Sequence, residues 1–383
     1  MSSDCLRQFV LKVHSRCNLD CTYCYIYRSP DSSWRDRPHH VGEHTMRQTA
    51  RRIAEHVQTH RPRSVRVDLH GGEPLLTGPE PLVAYAGAVR RAVPAGTDVT
   101  VTVQTNGTLL TRPALDRLAD AGIRIGLSLD GGTAALNARR VDHAGRPSWP
   151  AARRAARMLA ARRPDAYGGL LCTVDPATDP AEVYRSLRAL APPALDFLLP
   201  HLHWGSRPPG RHRPAPTPYG DWLADAFDLW WDDTTPGRPR VRLFTEIAAL
   251  LLGGSSRTDA VGLSPIAAVV VETDGAIERL DSLKTAYPHA PATGLDVHRN
   301  SFDEALGHPR IAALRAGLDA LGEDCRACPV VRICGGGNYA HRYSRRTGHF
   351  RHPSVHCADL ERIIRHAAAR IGEQLSVSSR SLV

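Results

Sequence analysis

Lysine is almost missing from this chain. It occurs only as Lys12 and Lys284, so arginine supplies 47 of the 49 basic residues. The formal net charge of +10 would by itself suggest a nucleic-acid partner. The arginines, however, are scattered along predicted helices, without interleaved aromatic residues or a recognised nucleic-acid motif. We therefore expect most of them on solvated helix faces and no nucleic-acid partner, although a basic groove that attracts an acidic peptide stays open.

Long apolar runs and the layout of a secretory signal are absent as well. No apolar run reaches membrane-spanning length, and residues 1–7 lack the charged-then-apolar order of a signal peptide. Seven of the nine cysteines lie in ligand-like groups, in a chain much larger than a disulfide-stapled miniprotein. These absences predict a protein of the reducing cytoplasm with no membrane partner.

Three cysteines form the first ligand-like group. Cys17, Cys21 and Cys24 follow the apolar residues 9–13 with the spacing C-x3-C-x2-C. Such a loop offers three thiolates, one fewer than a closed zinc site or a fully ligated cubane cluster requires. A cubane bound in this way keeps one iron free for a small molecule, which favours a catalytic role. A chance triplet or a three-ligand zinc site is the alternative.

The first half of the chain alternates strand-like and helix-like patterns. Apolar runs predict strands at residues 9–14, 65–70, 99–104, 123–129, 167–174 and 195–200. Helical patterns lie at residues 45–60, 79–92, 113–121, 150–163 and 180–190, with another at 218–231. Six β-α units predict an α/β fold whose parallel sheet has right-handed crossovers and curls into an open barrel.

Polar motifs fall directly after several predicted strands, at the rim where barrel enzymes place their chemistry. The candidate ligand-binding residues in these motifs are Gly71, Gly72, Glu73, Gln104, Asn106 and Ser128. The glycines would let the backbone approach a ligand, and the carboxylate can accept hydrogen bonds from an ammonium group. Taken singly, each motif would be an ordinary turn.

The order of the motifs resembles that of the radical S-adenosylmethionine (radical SAM) enzymes. Tyr23 stands before the last cysteine of the loop, and His70-Gly71-Gly72-Glu73-Pro74 follows where that family has its second motif. The resemblance implies a partial (β/α)6 TIM barrel and a 4Fe–4S cluster on the three cysteines. It also implies SAM bound by the rim residues, with Glu73 at the methionine ammonium, and an electron donor such as ferredoxin or flavodoxin.

A second ligand-like group consists of Cys325, Cys328, Cys334 and Cys357. Four thiolates complete one zinc site or one cluster, and ligand chemistry alone does not separate the two. The spacing resembles the C-terminal part of the SPASM extension of peptide-modifying radical SAM enzymes, which implies one auxiliary 4Fe–4S cluster. Three further cysteines of a full SPASM domain are missing, and Leu280 and Asn338 stand at two of their places.

Asp281 directly follows one of these missing cysteines. In formylglycine-forming relatives, an aspartate at the corresponding place acts as a base near the substrate, so the resemblance implies a catalytic base here. A turn aspartate that accepts hydrogen bonds from backbone amides is the equal alternative. For Cys172 we expect a buried core thiol, and for His201 and His203 packing roles rather than catalysis.

These patterns divide the chain into four expected parts. A radical SAM partial barrel covers residues 1–210, and a helical linker covers residues 211–255. A SPASM-like auxiliary-cluster domain with a C-terminal helix covers residues 256–375, and a disordered tail covers residues 376–383.

A narrower resemblance, to FxsB-type peptide maturases, runs along nearly the whole chain. The segments that carry it are Phe9-Val10-Leu11-Lys12-Val13-His14, Val103-Gln104-Thr105-Asn106-Gly107, Leu171-Cys172-Thr173-Val174-Asp175 and Asp281-Ser282-Leu283-Lys284. The resemblance implies cyclophane formation, in which a 5′-deoxyadenosyl radical removes a β-hydrogen from a ribosomally made precursor peptide and the carbon radical joins an aromatic ring. We expect no winged-helix leader-binding module before the barrel, so the barrel, the cap or a separate leader-binding protein would hold the precursor.

Other activities remain as alternatives. The chain could form a thioether or an ether link, or convert serine or cysteine to formylglycine. The four-cysteine group could also be structural zinc in a basic nucleic-acid-binding protein.

Overall fold

The predicted strands form one continuous sheet in the computed structural model, which describes residues 5–206 and 216–380. The strands are β1 (Gln8–His14), β2 (Ser64–Gly71), β3 (Asp98–Thr105), β4 (Ile123–Ser128), β5 (Tyr167–Thr173), β6 (Ala194–Leu198), β7 (Arg240–Val241), β8 (Ala268–Val271), β9 (Ala276–Glu278) and β10 (Ala292–Asp296). Strands β1 to β6 are parallel and adjacent in sequence order, as predicted.

The helices are α1 (Glu43–His60), α2 (Pro79–Ala92), α3 (Arg112–Asp120), α4 (Trp149–Arg162), α5 (Pro180–Arg188), α6 (Pro218–Trp231), α7 (Arg242–Leu251), α8 (Phe302–Gly307), α9 (Pro309–Arg315), α10 (Glu323–Arg326), α11 (Val331–Cys334) and α12 (Cys357–Arg380). Proline fixes the first turn of several of them, and the side chains of Thr111 and Asp179 cap α3 and α5. Within the described part of the chain, no helix is both long and apolar enough to cross a membrane.

The sheet continues beyond the six predicted strands on both sides. Strand β8 pairs in parallel with β1, in the register Gln8↔Ala268 to Leu11↔Val271, and the antiparallel strands β9 and β10 follow it. On the other side, β7 pairs with β6. A barrel that stays open leaves unpaired backbone groups at its first strand, and the hairpin from the C-terminal half satisfies them. The C-terminal part is therefore joined to the barrel through the sheet itself.

Apolar side chains from both halves share one core. Phe9 of β1 lies against Phe302 of α8, with ring centroids 4.8 Å apart, and both side chains are fully buried. Helix α12 packs along α6 and α7. A second, smaller core lies in the C-terminal part, residues 256–375, which we call the cap. It contains Leu283, Tyr339 and other buried apolar residues. The C-terminal part is thus packed against the barrel and not only tethered to it.

Two predicted segments reach the limits of the described residues. Helix α12 runs to Arg380, so the first residues of the predicted tail 376–383 are helical, and residues 381–383 lie outside the described part. The predicted linker 211–255 contains α6, β7 and α7, and its residues 211–215 also lie outside that part.

Candidate active site and metal centres

The first cysteine loop leaves the carboxyl end of β1 with its three thiols close together. Backbone N–H groups point at the sulfurs: Leu19 N lies 3.4 Å from Cys17 Sγ and Tyr27 N lies 3.5 Å from Cys24 Sγ. Burial raises the pKa of Cys17 to about 12, although the Leu19 amide opposes this shift. Buried thiols that also receive amide hydrogen bonds form a donor set suited to a cationic metal group, because binding would replace the lost solvation.

A buried polar network supports this loop from below. The Tyr23 hydroxyl donates to Asp130, which follows β4, and the Arg140 guanidinium donates to the Tyr23 oxygen at 2.7 Å. Arg140 also lies 3.8 Å from Asp130. Burial raises the pKa of Cys21, and the positive charge of Arg140 opposes this rise. Arg140 carried no motif signal in the sequence, because it lies more than 100 residues from Tyr23 and the cysteine loop.

Gly71 and Gly72 lie tightly against the backbone of neighbouring segments. A Cβ on Gly72 would lie 2.3 Å from the Arg16 carbonyl oxygen, and one on Gly71 would lie 2.5 Å from the His14 carbonyl oxygen. Both positions therefore require glycine for contact with the backbone of β1 and of the cysteine loop, and the predicted approach to a ligand stays a prediction. These glycines position the loop by letting β2 end directly against it.

The Glu73 carboxylate joins two rim loops. It is 1% exposed and accepts hydrogen bonds from Leu75 N at 3.0 Å, Thr105 Oγ1 at 2.5 Å and Asn106 N at 2.8 Å. Burial raises the pKa of Glu73 and these three donors oppose the rise. A carboxylate has about four acceptor positions, so one position remains for an ammonium group.

The other rim residues contact one another as the sequence order suggested. The Asn106 side chain donates to Asn18 Oδ1 at 2.9 Å and lies 3.9 Å from Cys17 Sγ. Gln104 Nε2 donates to Ser128 Oγ at 2.9 Å across the ends of β3 and β4. The structure thus gathers the predicted residues on one rim, and Asn18 joins them from within the cysteine loop.

The second cysteine group surrounds a single cavity. Cys325, Cys328, Cys334 and Cys357 all line a space of about 90 Å³ between α10, α11 and the start of α12. Burial, together with the neighbouring thiols of Cys357, Cys325 and Cys328, raises the pKa of Cys334 to about 12.

Sulfur spacing distinguishes the two metal groups that this set could hold. Sulfurs around one tetrahedral zinc, each about 2.3 Å from the ion, would lie about 3.8 Å apart. Among the described residues, no three cysteine sulfurs lie within 4.8 Å of one another. Both cysteine sets are thus more widely spaced than a single zinc ion requires, which favours a larger cluster at each.

Asp281 begins a 3-10 helix, Asp281–Thr285, that places it over the interior of the barrel. One carboxylate oxygen, Oδ2, forms an ion pair with Lys12 of β1, whose ammonium lies 3.3 Å from His70 Nδ1. The other oxygen, Oδ1, is buried without a hydrogen-bond partner among the described residues. The alternative of a turn aspartate that caps backbone amides does not fit this geometry.

The second lysine lies in the same region. Lys284 is 1% exposed, and its ammonium lies 3.0 Å from Glu272 and 3.2 Å from Glu278. Oxygens of Glu272, Glu278 and Asp281 lie within 4.8 Å of one another, a spacing that could suit a cation. Because the Lys284 ammonium and the Arg37 guanidinium together neutralise the two glutamates, we do not assign a metal ion there.

The residues at two of the places of the missing SPASM cysteines make other contacts. Asn338 donates to Asp259 at 2.8 Å and caps the next turn through Ala340 N. Leu280 packs against the smaller apolar core. Neither place offers a metal ligand.

The remaining candidates are packed side chains. Cys172 is 1% exposed and donates to the Asp130 carbonyl at 3.2 Å, as predicted for a core thiol. His201 Nδ1 lies 3.1 Å from His341 Nε2, and His203 accepts a hydrogen bond from Gly205 N within its own turn.

The part of the chain that forms this rim is similar to known proteins. The model of the Radical SAM superfamily matches residues 11–187, which span β1 to α5. The cysteine-type anaerobic sulfatase-maturating enzyme of Clostridium perfringens is 24% identical over 330 residues, which cover 84% of this chain and 86% of the relative. The family match thus covers the segment that contains the first cysteine loop and the rim residues. The serine-type anaerobic sulfatase-maturating enzyme of Klebsiella aerogenes is 26% identical, over 85% of this chain and 77% of that protein.

Solved structures share the fold of this chain. Native anSMEcpe with bound AdoMet and Kp18Cys peptide superposes with a TM-score of 0.77 at 20% identity, over 97% of this chain and 99% of the other. The same protein with AdoMet alone gives a TM-score of 0.75 at 22% identity, over 96% and 98% of the two chains. At this identity the likeness shows a shared fold, including the C-terminal part.

Proposed function

We propose that this chain is a radical SAM enzyme that modifies a peptide or protein by removing a hydrogen atom from the β-carbon of one residue. The observation that carries the proposal is the unpartnered Oδ1 of Asp281, placed at the barrel–cap junction. A carboxylate there can take the proton released when the carbon radical is oxidised. The sulfatase-maturating relatives, whose names describe action on another protein, support this substrate class.

Two donor sets would hold the cofactors. Cys17, Cys21 and Cys24 would hold one 4Fe–4S cluster, and the four C-terminal cysteines would hold a single auxiliary cluster. When bound, the first cluster and SAM supply the hydrogen-abstracting radical chemistry after which the superfamily is named. The remaining acceptor position of Glu73 would hold the ammonium group of SAM.

The protein's own residues would orient SAM and accept a proton from the substrate. The Lys12 ammonium keeps the Asp281 carboxyl ionised and fixes one of its oxygens, so the other, Oδ1, would be the one that receives the proton. Asn106 and the Gln104–Ser128 pair would orient the nucleoside and carboxylate of SAM from the ends of β3 and β4.

Formylglycine formation from cysteine or serine is the product that the relatives favour. Cyclophane formation is the second candidate. It is supported by the resemblance to FxsB-type maturases and by the non-ligand roles of Leu280 and Asn338, where a full SPASM domain has cysteines. In both cases the substrate loses a hydrogen atom and then a proton and an electron, and the auxiliary cluster or another acceptor takes the electron.

The partners follow from this chemistry. We propose a ribosomal precursor peptide or a protein segment as substrate and a ferredoxin or flavodoxin as electron donor in the cytoplasm. A separate leader-binding protein would serve if the barrel and cap do not hold the substrate alone.

Replacement of Cys17, Cys21 and Cys24 together by alanine tests the radical site. The anaerobically reconstituted variant should form no 5′-deoxyadenosine and should keep iron at the C-terminal site. Cys172→Ala, which removes a buried thiol outside both sets, is the matched control and should still cleave SAM. Undiminished SAM cleavage by the triple variant would contradict the assignment.

The product can be identified with a short peptide encoded beside the gene. A ring closure removes two hydrogens and leaves no aldehyde, whereas formylglycine reacts with a hydrazide probe. Cysteine conversion would also exchange sulfur for oxygen in the product mass.

A further inference from the structure

Arg342 is a buried cation without a matching anion in the described part of the chain. It ends the 3-10 helix Tyr339–Arg342 and is 5% exposed. Its Nε and Nη1 atoms are buried with no hydrogen-bond partner among the described residues. The guanidinium lies over the Tyr339 ring, 4.6 Å from its centroid, and this contact compensates only part of the cost of burial.

The guanidinium lies beside the four-cysteine cavity. A Cβ on Gly336, which lines that cavity, would be 3.5 Å from Arg342 Nη1. The thiols that interact electrostatically with Arg342 are Cys325 and Cys334. Its unpartnered donors are therefore buried beside the cavity that the four cysteines line.

A buried, unpaired guanidinium is strongly destabilising, so the finished site should contain an anion near it. A cluster bound by four thiolates carries net negative charge, and N–H groups directed at its sulfurs are known to tune such centres. We propose that Arg342 is a positioning residue that compensates the charge of the auxiliary cluster and raises its reduction potential.

The direction of this effect follows from electrostatics. Reduction adds one negative charge to the site, and a nearby cation stabilises the more negative form more strongly. A raised potential makes the site a better acceptor for the electron that leaves the substrate radical. The inference rests on the proposed auxiliary cluster and extends it by naming the residue that tunes it.

The test uses the chain with Cys17, Cys21 and Cys24 replaced by alanine, so that only the C-terminal site holds iron. In this background, Arg342→Gln should lower the equilibrium constant for reduction about tenfold, a fall of about 59 mV for a one-electron couple. Arg342→Lys should retain most of the parent potential. Arg332→Gln removes the same charge from an exposed position two residues before Cys334, and should leave the potential unchanged. The measurement is an anaerobic redox titration followed by electron paramagnetic resonance, with iron analysis of each variant.

The outcomes separate the two proposals. Zinc without iron in the parent would refute the auxiliary cluster itself. An intact cluster with equal potentials in the parent, Arg342→Gln and Arg332→Gln would overturn the role of Arg342 alone. Loss of iron in Arg342→Gln with retention in Arg342→Lys would support charge compensation. Equal loss in both variants would overturn it, because side-chain shape and not charge would then hold the site.

Discussion

Burial and charge act in opposite directions on the Asp281 carboxyl group. Burial would raise its pKa, but Lys12, Lys284 and His70 lower it, and the net pKa lies below the ordinary value. The group is therefore ionised at neutral pH. Its contribution to folding stability is present there and is lost as the pH falls through the depressed pKa.

Asp281→Asn removes this charge with little change in volume. We expect SAM cleavage to persist while modified product falls roughly a hundredfold or more, the usual scale for general acid–base catalysis. The measurement is the ratio of 5′-deoxyadenosine to modified peptide, with circular dichroism to check folding. Asp274→Asn, at the exposed turn between β8 and β9, is the control and should leave the ratio unchanged. An unchanged ratio in Asp281→Asn as well would exclude Asp281 as the base.

Lys12→Met should move the pH dependence of product formation. Without the ammonium, the pKa of the buried Asp281 carboxyl should rise, so the acidic limb of the profile should shift to higher pH. Product per 5′-deoxyadenosine, measured between about pH 5 and pH 8, reports this shift because those values bracket ordinary enzyme conditions. Lys12→Arg keeps the charge and should keep the parent limb; a shift of the same size there would point to altered packing.

At the scale of elements, the contact between α6 and α12 joins the two halves of the chain. Asp359 of α12 accepts hydrogen bonds from Tyr219 N and Gly220 N at the start of α6. A Cβ on Gly220 would lie 2.7 Å from the Asp359 carbonyl oxygen. Since α12 begins at Cys357, this contact also positions a cysteine of the second set.

Gly220→Ala should therefore destabilise the fold by about 1–3 kcal/mol through overpacking. It should also lower iron retention at the C-terminal site, because the start of α12 must shift. Gly372→Ala in α12 is the matched control, since no heavy atom lies within 4 Å of a Cβ there. That control should stabilise the helix by about 0.5–1 kcal/mol. Thermal unfolding and iron analysis of both variants check the prediction, and equal behaviour would contradict the tight contact.

Elements with a strong local signal could be predicted from the sequence. The proline at the first helical position and the helical apolar period predicted α2 and α6 at their observed bounds. Apolar runs predicted strands β1 to β6 to within two residues of their observed bounds. Strand β7 was not predicted because it has two residues, too few for any period. The pairing of β8 with β1 was missed because it joins segments about 260 residues apart, and no local pattern records such a contact.

At the scale of the whole molecule, the grouping of the cysteines could be predicted from the sequence, but the residues around each group could not. Spacing alone grouped the seven candidate cysteines, because loops and short helices bring near neighbours together. The partners of these groups come from distant segments: Lys12 meets Asp281, and Arg342 lies beside Cys325 only in the folded chain.

Iron analysis tests the assignment of the whole chain. Two 4Fe–4S clusters predict about eight irons and eight sulfides per chain after anaerobic reconstitution. Preparation with excess zinc should not displace them, because both sulfur sets are too widely spaced for one ion. A reproducible value near twelve irons would mean that a further cluster is present and that the reading of Leu280 and Asn338 is wrong.

The scarcity of lysine gives the folded protein an unusual chemical surface. Its two ε-amino groups belong to Lys12, 4% exposed, and Lys284, 1% exposed, and both lie in ion pairs at the barrel–cap junction. An amine-reactive ester should therefore label the closed protein only at its α-amino terminus. The rate at which either lysine becomes labelled, measured by mass spectrometry, would then report how often the cap separates from the barrel. A bound substrate peptide should lower this labelling rate. The experiment needs no engineered probe.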